Sequence, residues 1–177
     1  MATVTLLLGG ECTGKTALAR HLSHTLADRH AFDDIVVIPE VLRDFVAHTA
    51  RTPTREEQRT IWLEQSLALA ARRDGHQSLV ICDPAPLMTA VYSVQYFDDD
   101  SLMPEALEAT DDADLVVWCF PDLPWERDGL MRDGPRARQR THEILESLVV
   151  PKLERSRVVP VFGDLAHRTD QVRAHLP

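Results

Sequence analysis

Cysteine is scarce in this chain, with three among 177 residues, at Cys12, Cys82 and Cys119. An odd number so widely spaced fits neither a disulfide framework nor a zinc site, and makes a reducing cytoplasm the natural compartment. Long apolar runs are also missing. The opening MATVTLLLGGE is too short to span a bilayer and carries no basic stretch ahead of it, so neither a membrane span nor a signal peptide is expected. Positive charge is not in excess either. A formal net charge of -9 argues against nucleic acid, whose binding needs a broad cationic surface. It leaves room for a small basic site on an anionic ligand. No repeat, low-complexity tract or long linker is present, and a length of 177 residues suits one domain, 1–177, with a core of its own.

What the chain has is a regular alternation of short apolar runs and helical patterns. Thr3–Leu8, Ile35–Ile38, Ser78–Cys82, a run within Asp114–Phe120 and Val158–Phe162 read as five buried strands. Between them, helical spacing predicts helices from Lys15 to about Arg29, around Val41–Val46, and over roughly Arg55–Arg73, with Thr54 as cap and Glu57 three residues on. Further helices are expected over about Leu87–Tyr96, Pro104–Ala109, Arg136 to about Arg155 with Pro151 as the place for a bend, and Thr169–Leu176. Strands alternating with helices predict a three-layer α/β fold with a mostly parallel five-stranded sheet.

Between the first strand and the first helix stands Gly9-Gly10-Glu11-Cys12-Thr13-Gly14-Lys15-Thr16, which fits G-x-x-x-x-G-K-[ST] without a mismatch. Glycines let the backbone curl so that successive N–H groups face phosphates, and the helix N-terminus adds positive potential. In that pattern Lys15 reaches the β- and γ-phosphates of ATP, and the Thr16 hydroxyl binds Mg2+.

Ligands of open α/β sheets lie beyond the carboxyl ends of the strands. Glu40 follows the second strand and Asp83 the third. A kinase needs one carboxylate to take the proton of the attacking hydroxyl and another to hold magnesium or its water shell. The alternative for both residues is a helix N-cap. Arg43, one turn after Glu40, either meets a ligand or pairs with Glu40. Trp125–Arg140 holds five arginines, punctuated by Gly129, Gly134 and Pro135. It reads either as a lid, about 121–140, closing over a transferring phosphoryl, or as a solvated loop and helix face. Arg132 and Arg136 border its flexible part, and Trp125 is its best stacking candidate. His142-Glu143 lacks the second histidine of H-E-x-x-H and is no zinc motif.

These pieces together resemble the P-loop kinase domain of the bifunctional bacterial NAD regulator, the ribosylnicotinamide kinase-like ATPases. The resemblance rests on GGECTGKT at Gly9–Thr16, PEVLRDFV at Pro39–Val46, CDPAPLMTAVYSVQYF at Cys82–Phe97, PDLPWERDGLMR at Pro121–Arg132 and FGDLAHR at Phe162–Arg168. It implies phosphorylation of the 5'-hydroxyl of a nucleoside such as nicotinamide riboside by ATP, a step of NAD biosynthesis. It implies Glu40, Arg43 and Asp83 around the acceptor, Trp125 and Asp128 near the substrate or lid, and Gly163-Asp164 near the adenine. Asp83-Pro84-Ala85 stands where the family has D-T-D, and Arg127 and Met131 are additions to its lid pattern. The family's adenylyltransferase half has no counterpart here, so the kinase step alone is expected. The competing class is a regulatory, partner-coupled ATPase that phosphorylates no metabolite.

Overall fold

The computed structural model describes residues 1–28, 32–73, 78–126 and 133–176. Five strands form one all-parallel sheet: β1 (Thr3–Leu8), β2 (Asp34–Ile38), β3 (Ser78–Cys82), β4 (Leu115–Cys119) and β5 (Val158–Val161), in the order β2-β3-β1-β4-β5. The register sets Leu6 of β1 against Cys82 on one side and Val116 on the other. β1 is therefore central, with partners on both flanks. Its side chains alternate between two cores, as a strand buried on both faces must. Val4, Leu6 and Leu8 join Val80, Cys82, Val116 and Trp118 on one face. Leu7 joins Leu79, Ile81, Val117 and Val161 on the other. Leu6, Leu7 and Leu8 are buried completely or nearly so, each worth about 1.5–3 kcal/mol of transfer free energy.

Helices cover both faces. On one side α1 (Lys15–Ala27) contributes Leu18, Leu22 and Leu26, and α7 (Leu165–Arg173) contributes Val172. The other face carries residues of α3 (Gln58–Ala70), α4 (Leu87–Phe97), α5 (Met103–Glu108) and α6 (Pro135–Ile144). Between β2 and α3 lies α2 (Val41–Thr49). Among the described residues no helix is long and apolar enough to cross a membrane.

Three helix boundaries differ from expectation, each for a local reason. α3 begins at Gln58 rather than Arg55, because residues 55–57 form a turn. Half of the capping arrangement is present: the Glu57 carboxylate accepts from Thr54 N–H at 2.8 Å. Arg51 binds the same carboxylate through its guanidinium and holds the Glu57 carboxyl down at about 2. The long helix expected to about Arg155 stops being α-helical at Ile144, then runs as a π turn over Leu145–Val149 and a 3-10 turn over Val150–Lys152. Pro151 has no N–H and its ring meets the carbonyl four residues back, so the disturbance starts a turn upstream of it. α7 starts at Leu165, not Thr169, because Asp164 caps it and accepts from His167 N–H at 2.8 Å.

Candidate active site

The loop after β1 is dictated by its glycines. Gly9 sits at φ +143°, and a Cβ there would lie 2.7 Å from Thr13 Oγ1 and 2.8 Å from the Cys119 carbonyl, so no larger residue fits. Gly14, at φ +78°, makes the left-handed step into α1. Inside the turn the Thr13 hydroxyl donates to Gly10 O at 2.8 Å. The Lys15 ammonium donates to Gly9 O at 2.7 Å and Gly10 O at 2.8 Å, which sets the cation over the concave side of the loop. No side chain caps the start of α1, so its first-turn N–H groups are directed out of the helix end.

A buried guanidinium braces this loop from behind. Arg168 of α7 is 1% exposed. Its Nη1 donates to Thr13 O at 2.8 Å, its Nε to Gly163 O at 2.7 Å, and its Nη2 to Phe120 O at 3.2 Å and to Asp122. Asp122 also accepts from Gly163 N–H at 2.6 Å. One side chain thus ties the phosphate loop to the carboxyl ends of β4 and β5. Arg168 belongs to the G-D-x-x-x-R run, and that run was the only sequence signal for it. The same geometry places Gly163, at φ +85°, and the helix cap Asp164 behind the loop rather than in the main cleft.

In front of the loop lies a cleft of about 710 Å³. Glu11 through Ala17, Glu40, Arg43 and Asp83 line it. Glu40 stands at the start of α2, yet its carboxylate makes no cap hydrogen bond. It accepts from Arg43 Nε at 2.9 Å instead, so the arginine pairs with the acid. Burial pushes the Glu40 carboxyl up, with Lys15 and Arg43 opposing and Asp83 adding to the rise. Asp83 is 5% exposed and caps no helix, since α4 is preceded by Pro86. Its backbone N–H bonds Ile38 O at 2.9 Å, extending the sheet by one rung and aiming the residue along the strand ends. Its Oδ1 is buried without a hydrogen-bond partner among the described residues, a cost that a ligand donor or cation at this point would offset.

The arginine-rich stretch divides. Arg127, Asp128, Met131 and Arg132 lie outside the described residues. Arg136 is exposed on the first turn of α6 and does not line the cleft. Two residues on, about 200° further around the helix, Arg138 turns inward and donates to Leu123 O at 2.7 Å and Cys12 O at 3.3 Å. Among the described arginines of this stretch, Arg138 is set against the phosphate loop, and only helical phase could have singled it out. Trp125 does not line the cleft either. Its ring lies under the Arg138 guanidinium, 5.5 Å from centroid to carbon. Cys12 Sγ donates to Pro124 O at 3.4 Å and accepts from Glu126 N–H at 3.2 Å, while Glu11 accepts from Asp133 N–H at 2.9 Å.

Cys12 is half-buried, whereas Cys82 and Cys119 are fully buried and their thiols are pushed up to about 12 and about 11 by burial. Iodoacetamide at pH 8 is therefore expected to modify Cys12 first and alone in the folded protein. Saturating Mg-ATP should slow that reaction sharply, as peptide mapping of the alkylated site will report. Equal rates with and without nucleotide would remove Cys12 from the ligand's path.

Tyr92, Tyr96, Phe97, Pro53 and Gln58 also line the cleft. The Tyr92 phenol is pushed well up by burial and by the nearby Glu40 and Glu11. His142 packs flat on Trp118, centroids 5.1 Å apart, and edge-on to Phe120. Among the described residues no group of three or more His, Cys, Asp or Glu could hold a metal. Magnesium is ordinarily held by one or two protein oxygens together with substrate phosphates, and Thr16 with the unpartnered Asp83 Oδ1 is a donor set of that kind.

Residues 4–168 match the family model described as AAA domain. The chain belongs to this AAA domain family. No curated protein matches it in sequence. Among solved structures it is similar to the NadR protein in complex with NAD and AMP-PNP, at 19% identity and a TM-score of 0.74 over 98% of this chain and 49% of that one. The NadR protein in complex with NR gives 17% identity and a TM-score of 0.74 over 99% and 52%. The chain spans about half the length of these NadR chains. Thymidylate kinase from Ehrlichia chaffeensis matches at 16% identity and a TM-score of 0.67, over 98% of this chain and 97% of that one. The fold is that of the P-loop kinases.

Proposed function

We propose that this AAA-domain protein is an ATP-dependent kinase that phosphorylates the 5'-hydroxyl of a nucleoside, with nicotinamide riboside the foremost candidate. The observation that carries the reading is the cleft itself. It is lined by the phosphate loop, two largely buried carboxylates and a group of aromatic side chains. A partner-driven hydrolase needs the first of these and not the third. In the proposed arrangement Gly9–Thr16 binds the triphosphate, and the Lys15 ammonium leaves the Gly9 and Gly10 carbonyls for the β- and γ-phosphate oxygens. Glu40 accepts the proton of the attacking hydroxyl while Arg43 keeps its carboxylate aimed. Thr16 and Asp83 would hold Mg2+, which neutralises phosphate charge when bound.

The charge of the cleft supports the choice of acceptor. Five described lining residues are acidic (Glu11, Glu40, Asp83, Glu126, Asp133) and two are basic (Lys15, Arg43). Lys15 belongs to the phosphates. What remains favours an acceptor carrying positive charge, as the pyridinium of nicotinamide riboside does, over an anionic one. Both structures of NadR, solved with NAD and AMP-PNP and with NR, add weight to this candidate through the shared fold. Incubation with γ-labelled ATP and a panel of nucleosides should give transfer to a 5'-hydroxyl, fastest for a pyridinium nucleoside. Absence of transfer to every member of the panel, with ATP hydrolysis intact, would overturn the reading in favour of the regulatory ATPase.

A further inference from the structure

The inward stripe of α3 consists of Gln58, Ile61, Trp62, Gln65 and Leu69. Gln58 reaches the cleft, but Gln65 lies in the middle of the stripe, 3% exposed, where an apolar residue would avoid the cost of burying an amide. Its hydrogen bonds all go to the neighbours of the two candidate acids. Oε1 accepts from Val41 N–H at 2.8 Å, and Nε2 donates to Pro39 O at 3.1 Å. Pro39 and Val41 flank Glu40, so the amide holds the peptide on both sides of it. The same Nε2 donates to Cys82 Sγ at 3.4 Å, and that thiol donates to Pro84 O at 3.2 Å. Cys82 and Pro84 flank Asp83.

We infer that Gln65 is a positioning residue that fixes Glu40 and Asp83 relative to each other for phosphoryl transfer. The inference rests on the kinase reading above. Two features separate it from simple satisfaction of buried backbone groups. The amide has a single workable orientation, because reversing it would set its NH2 against the Val41 N–H. It also links two strand ends, β2 and β3, whose carboxylates must converge on one reacting hydroxyl. Gln65 does not line the main cleft, and none of its bonds reaches Gly9–Thr16. It therefore acts on the acids and not on the nucleotide.

The test is a double-mutant cycle on the full chain with ATP and the best acceptor from the nucleoside panel. Gln65→Met keeps the side-chain length and removes every hydrogen bond. It is expected to lower kcat by about 30- to 100-fold, the scale of an ångström-sized misplacement, with KM for ATP changed by less than about twofold. In the Glu40→Gln background the same change should cost at least about fivefold less than in the parent, because the pair of acids it aligns has already lost one member. A role confined to packing would lower kcat by the same factor in both backgrounds, and that result, or an unchanged kcat, overturns the inference. Should Gln65→Met fail to fold, Gln65→Glu carries the comparison, since it keeps the acceptor for Val41 N–H and loses the donors to Pro39 and Cys82. If the unaltered protein transfers phosphoryl to no acceptor, the kinase reading falls and takes this inference with it. If transfer occurs and the cycle is additive, only the inference falls.

Discussion

Glu40→Gln is expected to lower phosphoryl transfer by about 100- to 10,000-fold, the usual worth of a positioned general base, while leaving the affinity for ATP near normal. The carboxylate lies on the same cleft as the phosphate loop but is hydrogen-bonded to Arg43, which lies outside the loop. The substitution should also raise the melting temperature at pH 7 to 8. The sign follows from the site. Burial, with Asp83 nearby, raises the Glu40 carboxyl in the folded protein above its ordinary value despite Lys15 and Arg43. The stability associated with such a group is fully present below the unfolded carboxyl's pKa and is lost as pH rises through the native one. At neutral pH the native protein bears an ionised group that its surroundings disfavour, and glutamine removes that cost. The gain should shrink as pH falls below the ordinary carboxylate range, where Glu40 is protonated folded or unfolded. Activity must show the mirror image, with its acid limb displaced above the ordinary carboxylate range. Thermal melts and a pH–rate profile check both signs. A variant that is as active as the parent would remove Glu40 from the chemistry.

Arg168→Met is the second large effect, and it falls on stability first. Methionine keeps much of the aliphatic volume but abolishes the donors to Thr13, Gly163, Phe120 and Asp122. Asp122 is 38% exposed and can turn to water, whereas the three carbonyls lose a charged donor in or near the core. Leaving a buried carbonyl without its donor costs about 1–3 kcal/mol, so losing the donor to all three puts the loss at roughly 3–5 kcal/mol. At this chain length that corresponds to a fall in melting temperature on the order of 10 °C. Affinity for ATP should fall as well, because the Thr13 carbonyl is no longer held and the loop can relax away from its phosphate-binding curl. Arg168→Lys keeps the charge but not the fork, and it should recover only part of either loss. Calorimetry with nucleotide titration decides this, and a melting temperature within about 1 °C of the parent, as for an ordinary surface change, would contradict the bracing role.

The parts of this protein legible in its sequence are those that local rules control. Gly9–Thr16 could be read because a left-handed turn, a lysine and a hydroxyl must occur at fixed spacing. β1, β3 and β4 could be read because a short unbroken apolar run, too brief for a helix and closed by glycine or proline, suits a buried strand. That Glu40 and Asp83 line the cleft could be read from their place after strands, a rule that needs only the fold class. Gln65 carries no sequence signal, and Arg168 and Arg138 carry only a family run and a basic composition, for one shared reason. Each is a polar residue whose meaning lies in partners far along the chain: Thr13 is 155 positions from Arg168, and Cys12 is 126 from Arg138. Arg136 and Trp125 drew attention by composition, but helical phase turns the first outward, and the second lies beneath Arg138 and does not line the cleft. The helix ends went astray where one residue outweighs the periodic pattern, as Asp164 does at α7 and Pro151 beyond α6.

The position of β1 has a consequence for how the protein is made. Of the five strands it is made first, and both its neighbours, β3 and β4, are missing until residues 78–82 and 115–119 have been synthesised. The loop it carries receives its buried brace later still, from residue 168. Parallel pairing across such separations is slow, because chain closure precedes any reward from contact. Firm nucleotide binding is thus acquired late, and a nascent chain stalled short of residue 168 should hold ATP more weakly than one extended past it.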